Sequence, residues 1–275
     1  MNATWLTVDF DDLRHVPSFV GHPTRSKHTY EEVAKARLQE TLSEQFVQGM
    51  HGFTSWLESN TYPVTLFVIG DLFLSEKFEQ WFSKLLNTFG QRITVGCHGW
   101  RHKSWSAWPE DADGFSSDLT KATEKIAKHA GDSFRPWFRA PGGYIAPWMA
   151  PVLAEQGYVL DSSINPSWLV QRKAGKGNSW PDISRALEKS NIVSRPWKTH
   201  WSLPINGPAL SLFPLSIIAK RGWKNTPPPF NINSFEEDLM SSKFNVSTVY
   251  WHLLDHARKK WEPPLPKGSR DSNQL

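Results

Sequence analysis

Short apolar runs that end on a charged or polar residue recur along this chain, with helical stretches between them. The first, "TWLTVDF", alternates with a period of two, which puts Leu6, Val8 and Phe10 on one face and Thr7, Asp9 and Asp11 on the other. "PVTLFVIG", "RITVGCHGW", "WFRAPGG", "GYVLDSS", "NIVSR" and "VSTVYWH" read as six further strands. Between them, apolar residues fall at helical spacing from Tyr30 to Leu57, in "EKFEQWFSKLLNTF", and from Leu119 to Ala130. Shorter helices fit "APWMAPVLAEQG" and "DISRALEKS". Such alternation predicts an α/β chain with a parallel sheet and crossover helices, open or closed into a barrel. At 275 residues the chain fits one large domain, expected over residues 1–262, and "EPPLPKGSRDSNQL" leads into a Pro and polar tail over residues 263–275.

Composition narrows the partners. Lys and Arg outnumber Asp and Glu by 31 to 27, an excess that points weakly at a phosphate-bearing substrate or an anionic lipid surface. No nucleic-acid motif accompanies it, so no nucleic-acid partner is expected. The single cysteine, Cys97, excludes an intrachain disulfide and reads as a small buried filler. "MNATWLTV" lacks the basic and apolar regions of an export signal, and no apolar run is long enough to span a membrane. A soluble cytoplasmic protein is expected, and peripheral contact with the inner face of a membrane is compatible with its charge.

The polar residues collect at one kind of place. Asp11 and Asp12, His98, Arg139, Asp161 and His252 each fall at the C-terminal end of an expected strand, the edge where parallel sheets and α/β barrels build their sites. His98 and His102 stand in "HGWRH", and an i, i+4 pair on one face of a helical turn lets two imidazoles reach one ion. A carboxylate from the aspartate pair would complete three ligands and leave a position open for water. Taken singly these signals are weak, since strand-end aspartates often only cap turns.

In order, "VDFDD", "HGWRH", "RAPGG", "GYVLDSS" and "VYWH" resemble the five motifs of the polysaccharide deacetylases, the NodB-homology group also called carbohydrate esterase family four. The resemblance implies a single distorted (β/α) barrel. It implies Asp12, His98 and His102 as ligands of a divalent metal, most often zinc, with Co2+, Ni2+ or Mn2+ as alternatives. It further implies Asp11 as general base, Arg139 paired with Asp11, Asp161 holding Arg139, His252 as general acid, and the Gly142 N–H in the oxyanion hole. The implied reaction is removal of an N-acetyl group from an amino sugar that is nucleotide-linked, lipid-linked or a polysaccharide precursor. Gly99 replaces the usual Ser/Thr after the first metal histidine, Gly142 replaces a frequent Tyr, and "DDLR" stands where "DDGP" is usual. These departures alter the expected cleft. "VDFDDLRHV" and "RAPGGYIAP" resemble the surface-polysaccharide branch, and "GCHGWRHKSW" resembles deformylases of lipid-linked amino sugars.

Other readings stand beside these. Asp9 either supports a ligand from below or belongs to a polar layer in the barrel, and His15 reads as a surface histidine. His256 rivals His252 as the acid, and Asp255 could orient either. Among the fifteen tryptophans, Trp100 and Trp168 are candidates for stacking on a sugar, against the default of packing. A deformylase, a small-amide amidase and a non-catalytic carbohydrate-binding relative are the competing functions. Residues 175–226 have no assigned role beyond a cap over the cleft.

Overall fold

The structure, a computed structural model, describes residues 2–266, so most of the expected 263–275 tail lies outside the described residues. Strand β1 (Asn2–Phe10) leads to α1 (Tyr30–Lys35), α2 (Glu44–Ser59), β2 (Val64–Val68), α3 (Glu76–Phe89), β3 (Ile93–Cys97) and α4 (Ala112–Ala130). Then come β4 (Phe134–Phe138), α5 (Met149–Glu155), β5 (Leu160–Asp161), α6 (Trp180–Lys189) and β6 (Val193–Ser194). A small antiparallel pair, β7 (Thr199–His200) with β8 (Leu203–Pro204), α7 (Leu215–Lys224) and α8 (Phe235–Met240) precede the last strand, β9 (Asn245–His252).

Seven strands pair in parallel in the order β6-β5-β4-β3-β2-β1-β9, and all seven are those the alternation predicts. Beyond β6 the chain crosses to the opposite edge, where the Lys198 N–H donates to the Thr248 carbonyl at 2.8 Å and Trp197 bridges Thr248. The sheet thus curls into the expected distorted (β/α) barrel. One expected helix divides: residues 30–57 form α1 and α2, because Arg37 turns to φ +54° and Ser43 caps α2 by accepting from the Phe46 N–H at 3.1 Å.

Both faces of β1 are buried, each against a different core. Leu6, Val8 and Phe10 face the helices and pack with Phe46, Phe53, Phe78 and their neighbours. Ala3 and Trp5 face the barrel interior, where Trp5 meets Phe67 and Trp137 edge-on at 5.8 and 5.9 Å. Phe235 and Leu239 of α8 join this inner cluster and plug the end where β1 begins. Polar inward-facing positions therefore fall at the other end, the C-terminal mouth.

Helix α2 lies close on the turn after β9, for a Cβ on Gly52 would stand 2.6 Å from the His256 carbonyl oxygen. The His256 ring is buried among Phe53, Trp56, Trp251 and Trp261 and accepts the Trp251 Nε1–H at 2.9 Å. Burial pushes His256 down to about 4 against the pull of Asp255. Among the described residues no helix is long and apolar enough to cross a membrane.

A depressed histidine binds its proton later in the folded state than in the unfolded one. Stability is therefore full above the unfolded value of 6.5 and falls as pH drops toward 4. His256 should account for about 3 kcal/mol of that loss. Urea unfolding measured from pH 7 to pH 4 should show a flatter decline in His256→Gln, which keeps an acceptor for Trp251; an unchanged slope would remove His256 as the cause.

Candidate metal centre

At the mouth, the period of two that set the β1 core also sets its carboxylates. Asp9 and Asp11 point to the barrel side and Asp12 to the other. His98 follows β3 directly. Asp11, His98 and His102 are buried and offer ligand atoms that all lie within 4.8 Å of one another. Asp11 Oδ1 is 3.4 Å from His98 Nε2, and Asp11 Oδ2 is 3.4 Å from His102 Nε2. Among the described residues Asp11 Oδ1, His98 Nε2 and both His102 ring nitrogens find no hydrogen-bond partner. Each such orphan costs roughly 1–3 kcal/mol, and one ligand atom from each of the three residues, brought within 4.8 Å of one another, fits a cation.

The donor chemistry agrees. His98 Nδ1 lies 2.7 Å from the Arg139 carbonyl, which only accepts, so the proton sits on Nδ1 and the Nε2 lone pair faces Asp11. Burial holds His98 low, against Asp9 and Asp11, and so neutral. For Asp11 burial acts upward, but His102, His98 and His252 together hold its carboxyl well below the usual range. One carboxylate and two imidazoles suit a zinc-like divalent ion with a position left open.

Four expectations for this site are corrected. The "HGWRH" segment is no helical turn: Gly99 at φ +80° and His102 at φ +56° fold it back as a loop, with the two rings edge to face at 5.2 Å. Asp12 does not join the histidines. It accepts from the Leu13 N–H at 2.6 Å, from the Ser43 hydroxyl, and from Arg14 at 3.3 Å, anchoring the loop after β1. Arg139 pairs with Asp9, not Asp11, donating from Nη1 to Asp9 Oδ1 at 2.6 Å. Asp161 does not touch Arg139 directly: it accepts the Ser163 hydroxyl at 2.5 Å, and Ser163 Oγ accepts the Ala140 N–H at 2.8 Å. Burial pushes Asp161 up to about 7, against the Ser163 bonds and Arg139.

His15 is buried rather than on the surface. Its Nε2 lies 2.8 Å from Asp71 Oδ1, which also accepts from Arg14 at 3.1 Å. Asp71 and Ser43 carried no sequence signal, since each belongs to a segment read only as strand end or helix.

His252 reaches the centre from β9, with Nε2 3.7 Å from Asp11 Oδ2. Its main-chain N–H donates to Asp255 Oδ2 at 3.0 Å, so Asp255 serves His252 while His256 faces the aromatic pocket. Burial would lower His252, but Asp255, Asp11 and Asp9 outweigh it and raise it to about 9. Gly142, at φ +57°, borders His102, whose Cε1 would lie 3.9 Å from a Cβ there. Its carbonyl accepts from Lys173 Nζ at 2.7 Å. Burial, with Arg25 and Arg172 nearby, lowers Lys173 to about 8. Of the two tryptophans singled out, Trp100 is buried against Gly70 with Lys121 over its ring at 4.3 Å, and Trp168 is exposed on the turn that carries Lys173.

A (β/α) barrel with a buried carboxylate–histidine–histidine cluster at its C-terminal mouth defines the class of protein. Residues 47–160 match the model of the polysaccharide deacetylase family. The matched span takes in His98, His102 and Arg139 but neither β1 nor β9. Among solved structures, a Mycobacterium smegmatis protein provisionally described as a polysaccharide deacetylase is similar over 94% of this chain and 79% of its own, at 18% identity and a TM-score of 0.54. A 4-alpha-glucanotransferase from Thermococcus litoralis is similar over 96% of this chain and 34% of its own, at 9% identity and a TM-score of 0.50. A carbohydrate esterase family 4 pseudoenzyme from Bacillus anthracis is similar over 91% and 69%, at 9% identity and a TM-score of 0.41. No curated protein matches the chain. At these identities the structural likeness speaks for the fold alone.

Zinc titration separates the two neighbouring carboxylates. Asp11→Ala should weaken zinc binding by about 100-fold or more. Asp12→Ala should leave the affinity within a few fold but lower the unfolding free energy by about 3 kcal/mol, since Arg14 loses a buried partner. Calorimetric titration and urea unfolding read the two effects, and the reverse order would return the ligand role to Asp12.

Proposed function

We propose that this chain is a metal-dependent hydrolase that removes an N-acyl group, foremost acetyl, from an amino sugar. The observation that carries this reading is the set of three buried ligand groups on Asp11, His98 and His102, with orphaned polar atoms among them, placed beside the Asp9–Arg139 pair. An ion held by these three residues, zinc being the one their donors suit, would supply a Lewis acid that acidifies a water and polarises the acyl carbonyl.

The protein's own groups take the remaining tasks. Asp9 is the general base: Arg139 fixes Oδ1, and Oδ2 faces the mouth 3.9 Å from His98 Nε2. Asp11 and Asp9 thus divide the roles of ligand and base. His252, held protonated between Asp255 and Asp11, hands a proton to the departing amine, which leaves poorly without one. The Gly142 loop, braced by Lys173, borders His102 where backbone donors would meet the developing oxyanion. Arg25, Arg172 and Lys173 line this rim with positive charge and support a substrate bearing an anionic group, such as a nucleotide-linked or lipid-linked sugar. A formyl group would meet the same machinery, and only the product distinguishes the two acyl sizes.

Release of acetate and formate from N-acyl amino sugars, with added zinc and with chelator, tests this reading. Wild type should release acid only with metal. Asp9→Asn should lose about a thousandfold in kcat while binding zinc within a few fold of wild type. No release from any nucleotide-linked, lipid-linked or free amino sugar by zinc-loaded wild type would overturn it.

A further inference from the structure

Between Glu188 and Glu236 the sequence holds no aspartate or glutamate, yet it holds Lys189, Arg195, Lys198, Lys220, Arg221 and Lys224. The same stretch carries five large apolar side chains in solvent, and the four most exposed are Trp201, Leu212, Phe213 and Ile217, at 69%, 56%, 82% and 61%. They are not scattered. Ile217, Lys220 and Lys224 recur at helical spacing within α7 and so share one face, and Phe213 stands just before the helix at the apolar end of it. Trp201 joins that face, because the Arg221 guanidinium lies 5.8 Å from its ring.

The fold does not need these side chains. Helix α7 is seated by its opposite face, where Ala219, Gly222 and Trp223 are buried and Trp223 Nε1 donates to the Ile205 carbonyl at 2.9 Å. A protruding aromatic and aliphatic ridge beside lysines, with no carboxylate near in sequence, has the chemistry of an interfacial membrane contact. Rings and branched chains enter the headgroup boundary while ammonium and guanidinium groups reach lipid phosphates.

We propose that Trp201, Leu212, Phe213 and Ile217, with Lys220, Arg221 and Lys224, dock this protein on an anionic lipid bilayer. The surface is joined to the metal centre through the turn at residues 207–210. Gly207 there packs so closely that a Cβ would stand 2.8 Å from His252 Cε1. On the reading of the site given above, on which this step rests, docking beside His252 selects a lipid-linked amino sugar over a nucleotide-linked one.

Sedimentation of the zinc-loaded chain with vesicles tests the surface without turnover. Wild type should bind vesicles of phosphatidylcholine and phosphatidylglycerol at about 7:3, but not phosphatidylcholine alone, and less at high salt. Phe213→Ser/Ile217→Ser and Lys220→Glu/Lys224→Glu should each lose about tenfold or more in partitioning. Both variants should match wild type in zinc affinity, circular dichroism and hydrolysis of a water-soluble N-acetyl amino sugar. Absence of wild-type binding, or equal binding by either double variant, would overturn the proposal. So would a lipid-free dimer in sedimentation velocity that Phe213→Ser/Ile217→Ser dissolves, since a second copy would then cover the face. Vesicle binding without hydrolysis would sustain the surface and sink the hydrolase reading, and hydrolysis without vesicle binding would do the reverse.

Discussion

A guanidinium with no exposed surface is tolerable inside a barrel only where its donors are taken and a carboxylate stands beside it. Arg139 meets both conditions. Nε and Nη2 donate to the Ser162 carbonyl and hydroxyl at 3.0 and 2.9 Å, and Nη1 donates to Thr7 Oγ1 at 2.8 Å and to Asp9. Its plane lies over the Phe67 ring at 4.1 Å, so the charge caps the aromatic inner core. The same residue's carbonyl orients His98. One side chain and one peptide thereby hold Asp9 and His98 in fixed relation, and removing the guanidinium would leave Asp9 as an uncompensated buried charge, a loss on the order of 3–5 kcal/mol.

That anchor explains how carboxylates so close in sequence coexist. Asp9 and Asp11 are two residues apart on one strand face, yet Arg139 takes the first and three histidines surround the second. Asp12, one position on, leaves for the opposite face and finds Ser43 and Arg14. Three like charges are separated by strand geometry, and each has its own counter-group. The loop network of His15, Asp71 and Arg14 then fixes the end of β1 so that Asp11 does not drift from the histidines.

The strand alternation in "TWLTVDF" already placed Asp9 with Asp11 on one face, and the barrel follows that pattern. On the function proposed above, the family motif, read as two adjacent aspartates, puts base and ligand one step too far along. The physical period is the better guide here, because a one-residue slip in a strand reverses the face. The histidine pair shows the opposite failure. Its spacing correctly brought two rings together, but through a loop with Gly99 and His102 at positive φ, which no periodicity announces. The seven strands were legible because each is a short apolar run bounded by breakers. Asp71, Ser43 and Lys173 were not, since their partners lie far along the chain and only packing brings them together.

The span that matches the deacetylase family ends at residue 160, before most of what shapes the mouth on one side. Within it lie His98, His102 and Arg139. From outside it come Asp9 and Asp11 on β1, Lys173 bracing the Gly142 loop, Gly207 packed on His252, and His252 itself. Residues 175–226, read from the sequence only as a cap over the cleft, therefore supply a wall of the site as well as the exposed ridge of α7. On the docking proposed above, a wall that carries this ridge on its far side couples where the protein sits to what its centre can reach. On the proposed function, ligands and base belong to the barrel and the choice of substrate to this wall, and the two can be altered by different residues because Ala219, Gly222 and Trp223 keep the ridge and the barrel on opposite faces of one helix.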